Sequence, residues 1–417
     1  MIKETERPDA IVCVDGLGVN GLGIVRSLGR LNLNAWVIGI KGDLNLAASS
    51  RYCTRLIEMG RFDGNLLYHS LMSIADSCDS KPVLFFDNDK MMNAVAGYAV
   101  EIEKRFRVTS PLKDMQNLNS KKYQMDMARM AGIEVPMTWY PDTWEDLAAK
   151  GAAVSSRLIA KPCQEVYPYH KPFKAVIGED VNHLAALLKA YVDSPKGIIV
   201  QEYIEGPDSD IHVAIGYKSF FSDFRQIITG VKICQTRPGA GVMAVGRAMD
   251  SPGIRNMTEK LISILDYRGI IGVEYKFCRK NGKFYFIEIS PRTALYNTLG
   301  LKSGLDLPML AYWDHVDYQK LNGVRIRHNS GHYWIHMQSD LTCLLCFRKF
   351  RNIRQTIYPY LNHKQWAVFA TDDLNPWIVS MKEFIRTYLN ALMSRIKKAT
   401  GNILSGHQVL RLFKRCV

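Results

Sequence analysis

Between Ile271 and Ser290, two runs rich in aromatic and β-branched residues flank Asn281-Gly282, so the stretch reads as a β-hairpin carrying the carboxylates Glu274 and Glu288. A two-residue Asn281-Gly282 turn pairs Lys280 with Lys283 and puts the two glutamates on opposite faces. A three-residue loop, Lys280-Asn281-Gly282, with glycine in the left-handed bulge position, pairs Arg279 with Lys283 instead. Glu274 then lies directly across from Glu288, with Ser290 two residues along on the same face. Val273, Tyr275, Phe277, Ile287 and Ile289 share the other, apolar face, and this clean division selects the second register. Two opposed carboxylates repel each other unless a cation or a proton sits between them. A hard divalent ion bridging to phosphate oxygens satisfies them, as magnesium does with one or two carboxylates plus substrate phosphates. Pairing of either glutamate with Lys or Arg satisfies them equally.

Further charged residues stand where elements end. Lys161 closes the strand-like Leu158–Pro162, and Lys121 opens an amphipathic helix in which Tyr123, Met127 and Met130 recur near helical spacing before Gly132 stops it. Upstream, the apolar runs at 11–14, 35–40 and 83–86 alternate with helical segments, the pattern of a doubly wound α/β domain. The third of these runs ends in Asp87-Asn88-Asp89. The Gly16-x-Gly18-x-x-Gly21 loop sits where a dinucleotide fingerprint would sit, but the second strand leads into Ile40-Lys41 without the acidic residue a ribose requires, which disfavours NAD. After Thr109-Ser110-Pro111, strand-like runs at 198–204, 211–217, 224–233 and 269–277 predominate, an α+β pattern.

Taken in order, Lys121 before a helix ending in Ala-Gly-Ile-Glu-Val-Pro136, Lys161-Pro162 closing a strand, Gln201-Glu-Tyr-Ile-Glu-Gly-Pro-Asp208, Gly272-Val-Glu274 and Ile287-Glu-Ile-Ser-Pro-Arg292 resemble the ATP-grasp superfamily. The resemblance covers about residues 8 to 314 and is strongest to carboxylate-amine ligases of the D-aspartate ligase type. A segment like Val231-Lys232 to Arg237-Pro-Gly-Ala-Gly241 also recurs there, which places Lys232 and Arg237 beside Arg292 as candidate catalytic cations. The resemblance implies that Lys121 and Lys161 touch ATP phosphates and that Glu202, Tyr203 and Ile204 present backbone and apolar surface to adenine. It further implies that Asp208 takes the ribose hydroxyls, that Glu274, Glu288 and Ser290 hold magnesium, or manganese in its place, and that Arg292 faces the transferred phosphate. The implied reaction is activation of a carboxylate as an acyl phosphate, which an amine then opens. D-aspartate or a similar amino acid is the substrate class. Such phosphoryl transfer depends on positioning and charge neutralisation.

The chain departs from the family at two places. Ser290 stands where Asn is usual, and Cys163 to Lys174, with His170, Lys171 and Lys174, replaces a glycine-rich phosphate loop. The resemblance divides the chain into a Rossmann-like pre-ATP-grasp domain (1–110), a central subdomain (111–200), a C-terminal subdomain with the metal site (201–314) and a basic, mainly helical extension (315–417). Two other readings remain: another ATP-grasp activity such as ATP-dependent carboxylation, and a catalytically weak nucleotide-binding scaffold at a membrane.

Composition narrows the class. The 417 residues are 47% hydrophobic and 23% charged, which excludes wholesale disorder, and their length suits several domains. The net charge of +14 is uneven, since residues 341–417 hold 13 basic and 3 acidic side chains. Aromatic and basic residues from Pro376 onward, with Trp377, Met381, Phe384, Tyr388, Leu392 and Ile396 along one face, suit either an anionic membrane surface or packing on the core. Nucleic acid is disfavoured for want of any recognised module. Without an apolar leader or a span of about 18 apolar residues, the chain reads as cytoplasmic, at most peripheral at the inner membrane face. The 9 scattered cysteines read as reduced thiols, and Cys343-x-x-Cys346 as buried rather than metal-binding. Amino acids and other small amines or carboxylates are the expected partners, and the sequence specifies no oligomeric state.

Overall fold

The computed structural model describes residues 7–163, 173–236, 241–328, 331–345 and 353–399. Arg237, His170, Lys171, Cys346 and residues 400–417 lie outside them.

The first sheet is parallel and five-stranded. Its strands run, in spatial order, Cys53–Met59, Ala35–Ile40, Ala10–Cys13, Val83–Phe86 and Arg107–Val108. The two central strands are buried along their whole length, as a parallel sheet covered by helices on both faces requires. The glycine loop packs hard onto the first strand. Gly18 has φ of 64°, and a Cβ there or at Gly21 would fall 2.3 or 2.5 Å from Val14. Gly18 and Gly21 are therefore needed for close approach of the helix Val19–Gly29, and Gly18 for its left-handed conformation as well.

The second sheet is antiparallel, in the order Thr138–Trp139, Ile198–Glu202, Leu158–Pro162, Val176–Gly178. The third has seven strands, in the order Lys283–Ser290, Gly269–Cys278, Ile211–Lys218, Arg225–Gln235, Met243–Ala248, Tyr333–Ile335, Lys364–Trp366. Its last two strands come from the basic extension, so that part of the extension is built into the sheet. A buried clasp also ties it back to the first domain. Arg26 donates to the Asp373 carboxylate at 2.9 Å and to the carbonyls of Val368 and Asp373 at 2.7 Å, and Ser50 Oγ donates to the same carboxylate at 2.6 Å. One apolar core joins the first sheet, the third sheet and the extension, from Leu22 and Val25 past Tyr217 to Trp334 and Val368, while the second sheet packs on a separate core around Leu158 and Val200.

The helix Asn375–Ala399 half-buries Trp377, Met381, Phe384 and Tyr388, and leaves Ile378, Ile385 and Leu389 exposed. The side chains of Leu392 and Ile396 are outside the described set. No helix among the described residues is long and apolar enough to cross a membrane.

Two local expectations need correction. The helix Lys121–Met130 buries Gln124, Met125 and Ala128, while Met130 is 65% exposed. The reason is Gln124, whose side chain accepts from Ile289 N at 2.9 Å and donates to Leu118 O at 2.6 Å, turning its own face inward. In the hairpin the turn is four residues long, because Cys278 pairs with Lys283 and Gly282 N donates to Cys278 O. A bulge at Ile287 then restores the pairing of Glu274 with Glu288. Phe286 consequently takes the core position opposite Tyr275 that the alternation assigned to Ile287, which is only half-buried.

Candidate active site

The strands Gly269–Cys278 and Lys283–Ser290 set Glu274 directly across from Glu288 and Gly272 across from Ser290. Gln124 holds the second strand against the helix that Lys121 opens, and Lys121 N in turn donates to Cys163 O just past the end of Lys161's strand. Ser120 caps that helix through Tyr123 N. These backbone contacts bring lysines from two elements to one pair of carboxylates.

Each glutamate has a lysine. Lys232 Nζ lies 2.6 Å from Glu274 Oε2, and the Lys232 side chain is 3% exposed. Tyr296 OH donates to Glu274 Oε1 at 3.1 Å. Burial and Glu274 push the Tyr296 hydroxyl well above its ordinary range, so it remains a donor. Lys121 Nζ is 3.6 Å from Glu288 Oε2, and the Glu288 side chain keeps 39% exposure, which leaves it reachable from solvent. Burial alone would raise the Glu288 carboxyl, but Lys121, Lys161, Lys232 and Lys174 outweigh it and hold it down to about 2. Lys161 is lowered to about 8, first by burial and then by Lys121, against the pull of Glu288 and Glu274. The pairing of the glutamates with lysines is thus realised, yet Glu288 faces four cations, more than one carboxylate neutralises.

Asp208 accepts from Gln235 N at 2.8 Å and from Gln235 Nε2 at 3.1 Å, and Gln235 Oε1 lies 3.5 Å from Lys232 Nζ. Glu202 ends its strand and accepts from Ser156 Oγ at 3.3 Å, while Tyr203 N donates to Arg157 O at 2.8 Å. Ile204 follows in the loop before Gly206. Arg292 is turned toward the first domain, where it makes a two-pronged contact with Asp89 at 3.0 and 2.7 Å. Arg237 lies outside the described residues.

Facing Arg292 is the glycine loop. Asn20 Nδ2 donates to the carbonyls of Asp87 and Thr293, at 2.9 and 3.2 Å, whereas Asn20 Oδ1 and Thr293 Oγ1 are buried without hydrogen-bond partners. Asp87, fully enclosed, has its carboxyl raised to about 8 by burial, with Arg292 opposing. Tyr296 and Gln235 carry no motif of their own, whereas Asp89 belongs to the Asp87-Asn88-Asp89 run that follows the strand Val83–Phe86. Lys174 belongs to the basic loop considered for phosphate, and its charge does reach Glu288. A cavity of about 710 Å³ lies elsewhere, lined by residues that include Arg107, Lys113, Phe221, Arg268 and His315, and none of the predicted site residues lines it.

No family model matches the chain, and no curated protein matches it. Solved structures do. The N5-carboxyaminoimidazole synthetase of Staphylococcus aureus matches with a TM-score of 0.56 at 14% identity, over 75% of this chain and 80% of that one. An L-amino acid ligase from Bacillus licheniformis matches with a TM-score of 0.56 at 14% identity, over 77% and 78%. Pyruvate carboxylase of Rhizobium etli matches with a TM-score of 0.58 at 17% identity, over 77% of this chain and 30% of that one.

Proposed function

We propose that this chain, whose sheets and structural neighbours give it the ATP-grasp fold, is an ATP-dependent carboxylate-amine ligase acting on D-aspartate or a similar amino acid. The observation that carries the reading is the opposed pair Glu274 and Glu288 at the centre of four lysines. Two opposed carboxylates are hard oxygen donors that suit magnesium, and the surplus of lysines suits a polyphosphate, so the residues present fit both. Magnesium bound to Glu274 and Glu288 would supply charge neutralisation between phosphate oxygens.

Lys121 and Lys161 would orient the phosphates as point charges, and Glu202 and Tyr203 would flank adenine at the end of their strand. Asp208, fixed by Gln235, would meet the ribose. Arg292 stands between this centre and the glycine loop, so a carboxylate substrate lying along Asn20 and Thr293 would reach the phosphate end of the nucleotide. The unsatisfied Asn20 Oδ1 and Thr293 Oγ1 support a polar ligand there. Attack of the substrate carboxylate on the γ-phosphate would expel ADP and form an acyl phosphate at Arg292, and the amine would then attack its acyl carbon and expel inorganic phosphate.

Amine-dependent ADP release, measured across a panel of amino acids with ATP and magnesium, is the expected result. ADP release that needs bicarbonate and no amine would assign carboxylation instead. ATP binding with no turnover on any member of the panel would overturn the ligase reading.

The Lys161 ammonium gives a second check. Its charge is complete well below pH 8 and is lost as pH rises through about 8, so kcat/KM for ATP falls over that interval. In Lys161→Arg the charge persists, and the alkaline limb moves to higher pH. A wild-type profile that stays flat through this interval would remove Lys161 from the phosphates.

A further inference from the structure

Away from the nucleotide site, the strand Arg225–Gln235 and the helix Met337–Leu345 bring together Cys234, Asp340 and Cys343. All three are fully buried, and their sulfur and carboxylate oxygen atoms lie within 4.8 Å of one another. We infer that this cluster is a tetrahedral site for a thiophilic divalent cation of the zinc class, which fastens the basic extension to the catalytic sheet.

The geometry suits that ion. In a tetrahedral zinc site with sulfur and oxygen ligands, neighbouring ligand atoms stand about 3.3–3.8 Å apart. The Gln235 carbonyl oxygen accepts from the Cys343 thiol at 3.1 Å and from the Cys234 thiol at 3.5 Å, so it already converges on both sulfurs and supplies the fourth corner when the thiols give up their protons to the ion. The strand is irregular on both sides of Cys234, with register shifts after Lys232 and after Cys234. Irregularities of this kind re-aim a side chain and release a carbonyl from the ladder. Asp340 is oriented from outside the cluster by Tyr360 OH, which donates to Oδ2 at 2.7 Å. Support of a ligating carboxylate by such a hydrogen bond is usual around metals.

The donor chemistry separates this site from the glutamate pair. Two thiolates favour zinc over magnesium, whereas Glu274 and Glu288 offer only hard oxygen. Binding releases one proton from each thiol and leaves no redox change to balance. The sequence reading took Cys343 as simply buried. Its spatial neighbour Cys234, 109 positions away in the chain, is what changes the reading.

Gln235 links the two sites, because the same residue holds Asp208 through its backbone N–H and side-chain amide. The zinc proposal does not rest on the ligase reading.

The test is metal analysis of the full chain, purified under reducing conditions without chelator. Stoichiometric zinc is expected in the wild type, and its loss in Cys234→Ser and in Cys343→Ser. Cobalt added to the metal-stripped wild type should give thiolate charge-transfer absorption and tetrahedral d–d bands. Stripping should lower the melting temperature, with recovery on adding zinc but not magnesium. Wild-type protein that carries no metal and shows no cobalt bands would overturn the proposal, a result that needs no variant to fold. Full zinc retention in the folded Cys234→Ser, Cys343→Ser double variant would overturn it equally.

Discussion

Glu288→Gln lowers the rate of amine-dependent ADP release by about 10²–10³-fold, the usual cost of losing one charge-stabilising group at a reacting centre. KM for ATP stays within a few-fold of wild type. The split follows from the charges around the residue. Glu288 is ionised at any working pH, because four lysines hold its carboxyl down to about 2. An amide of the same shape keeps the packing and the strand register but offers no negative oxygen to a divalent ion. It also leaves Lys121 and Lys161 facing the phosphates without a competing carboxylate, so ground-state binding of ATP is preserved while the transition state loses its support. Steady-state kinetics are compared at about pH 6, well below the value of about 8 for Lys161, because Glu288 helps to raise that lysine and its loss lowers it further. Turnover within a few-fold of wild type would refute the metal role of Glu288.

Lys232→Met destabilises the fold by about 3–5 kcal/mol, the cost of breaking a buried ion pair by removing one partner. Met fills the volume of the stem, so the loss is electrostatic. Glu274 retains the Tyr296 hydroxyl but now faces Glu288 across the hairpin with no cation of its own. Thermal melting should therefore fall sharply, and added magnesium should restore more stability to the variant than it gives the wild type. Lys232→Met combined with Glu274→Gln should recover most of the stability without supporting turnover, because the stranded charge is gone and with it the anionic oxygen that a divalent ion needs. A single variant that melts with the wild type would show that Lys232 and Glu274 are not coupled in solution.

Much of this site was legible in the sequence, for physical reasons that differ from residue to residue. The opposition of Glu274 and Glu288 could be read from the alternation of apolar side chains. Lys121 and Lys161 were marked by their positions at a helix start and a strand end. The helix face was misread because Gln124, a polar residue, is buried by hydrogen bonds to backbone that no periodicity reveals. The strand Cys53–Met59 went unread because it lies at a sheet edge with Thr54, Arg55, Leu56 and Glu58 exposed, so it lacks the apolar run of its neighbours. Tyr333–Ile335 and Lys364–Trp366 are three residues each, too short to show any period. Tyr296 and Gln235 enter only through tertiary contact, as does the meeting of Cys234 with Cys343.

The bulge at Ile287 makes the hairpin a matter of parity. Thirteen residues separate Glu274 from Glu288, and because paired residues are spent two at a time, the turn and any bulge must together supply an odd number for the two to stand opposed. A turn of four contributes an even number, and one bulged residue supplies the odd remainder. A turn of three with no bulge spends the same thirteen residues and opposes the same carboxylates. Two such chains would align without a gap and share the chemistry, yet they would bury different residues, Phe286 in one and Ile287 in the other. An alignment over this stretch therefore reports the site faithfully and the core beneath it ambiguously.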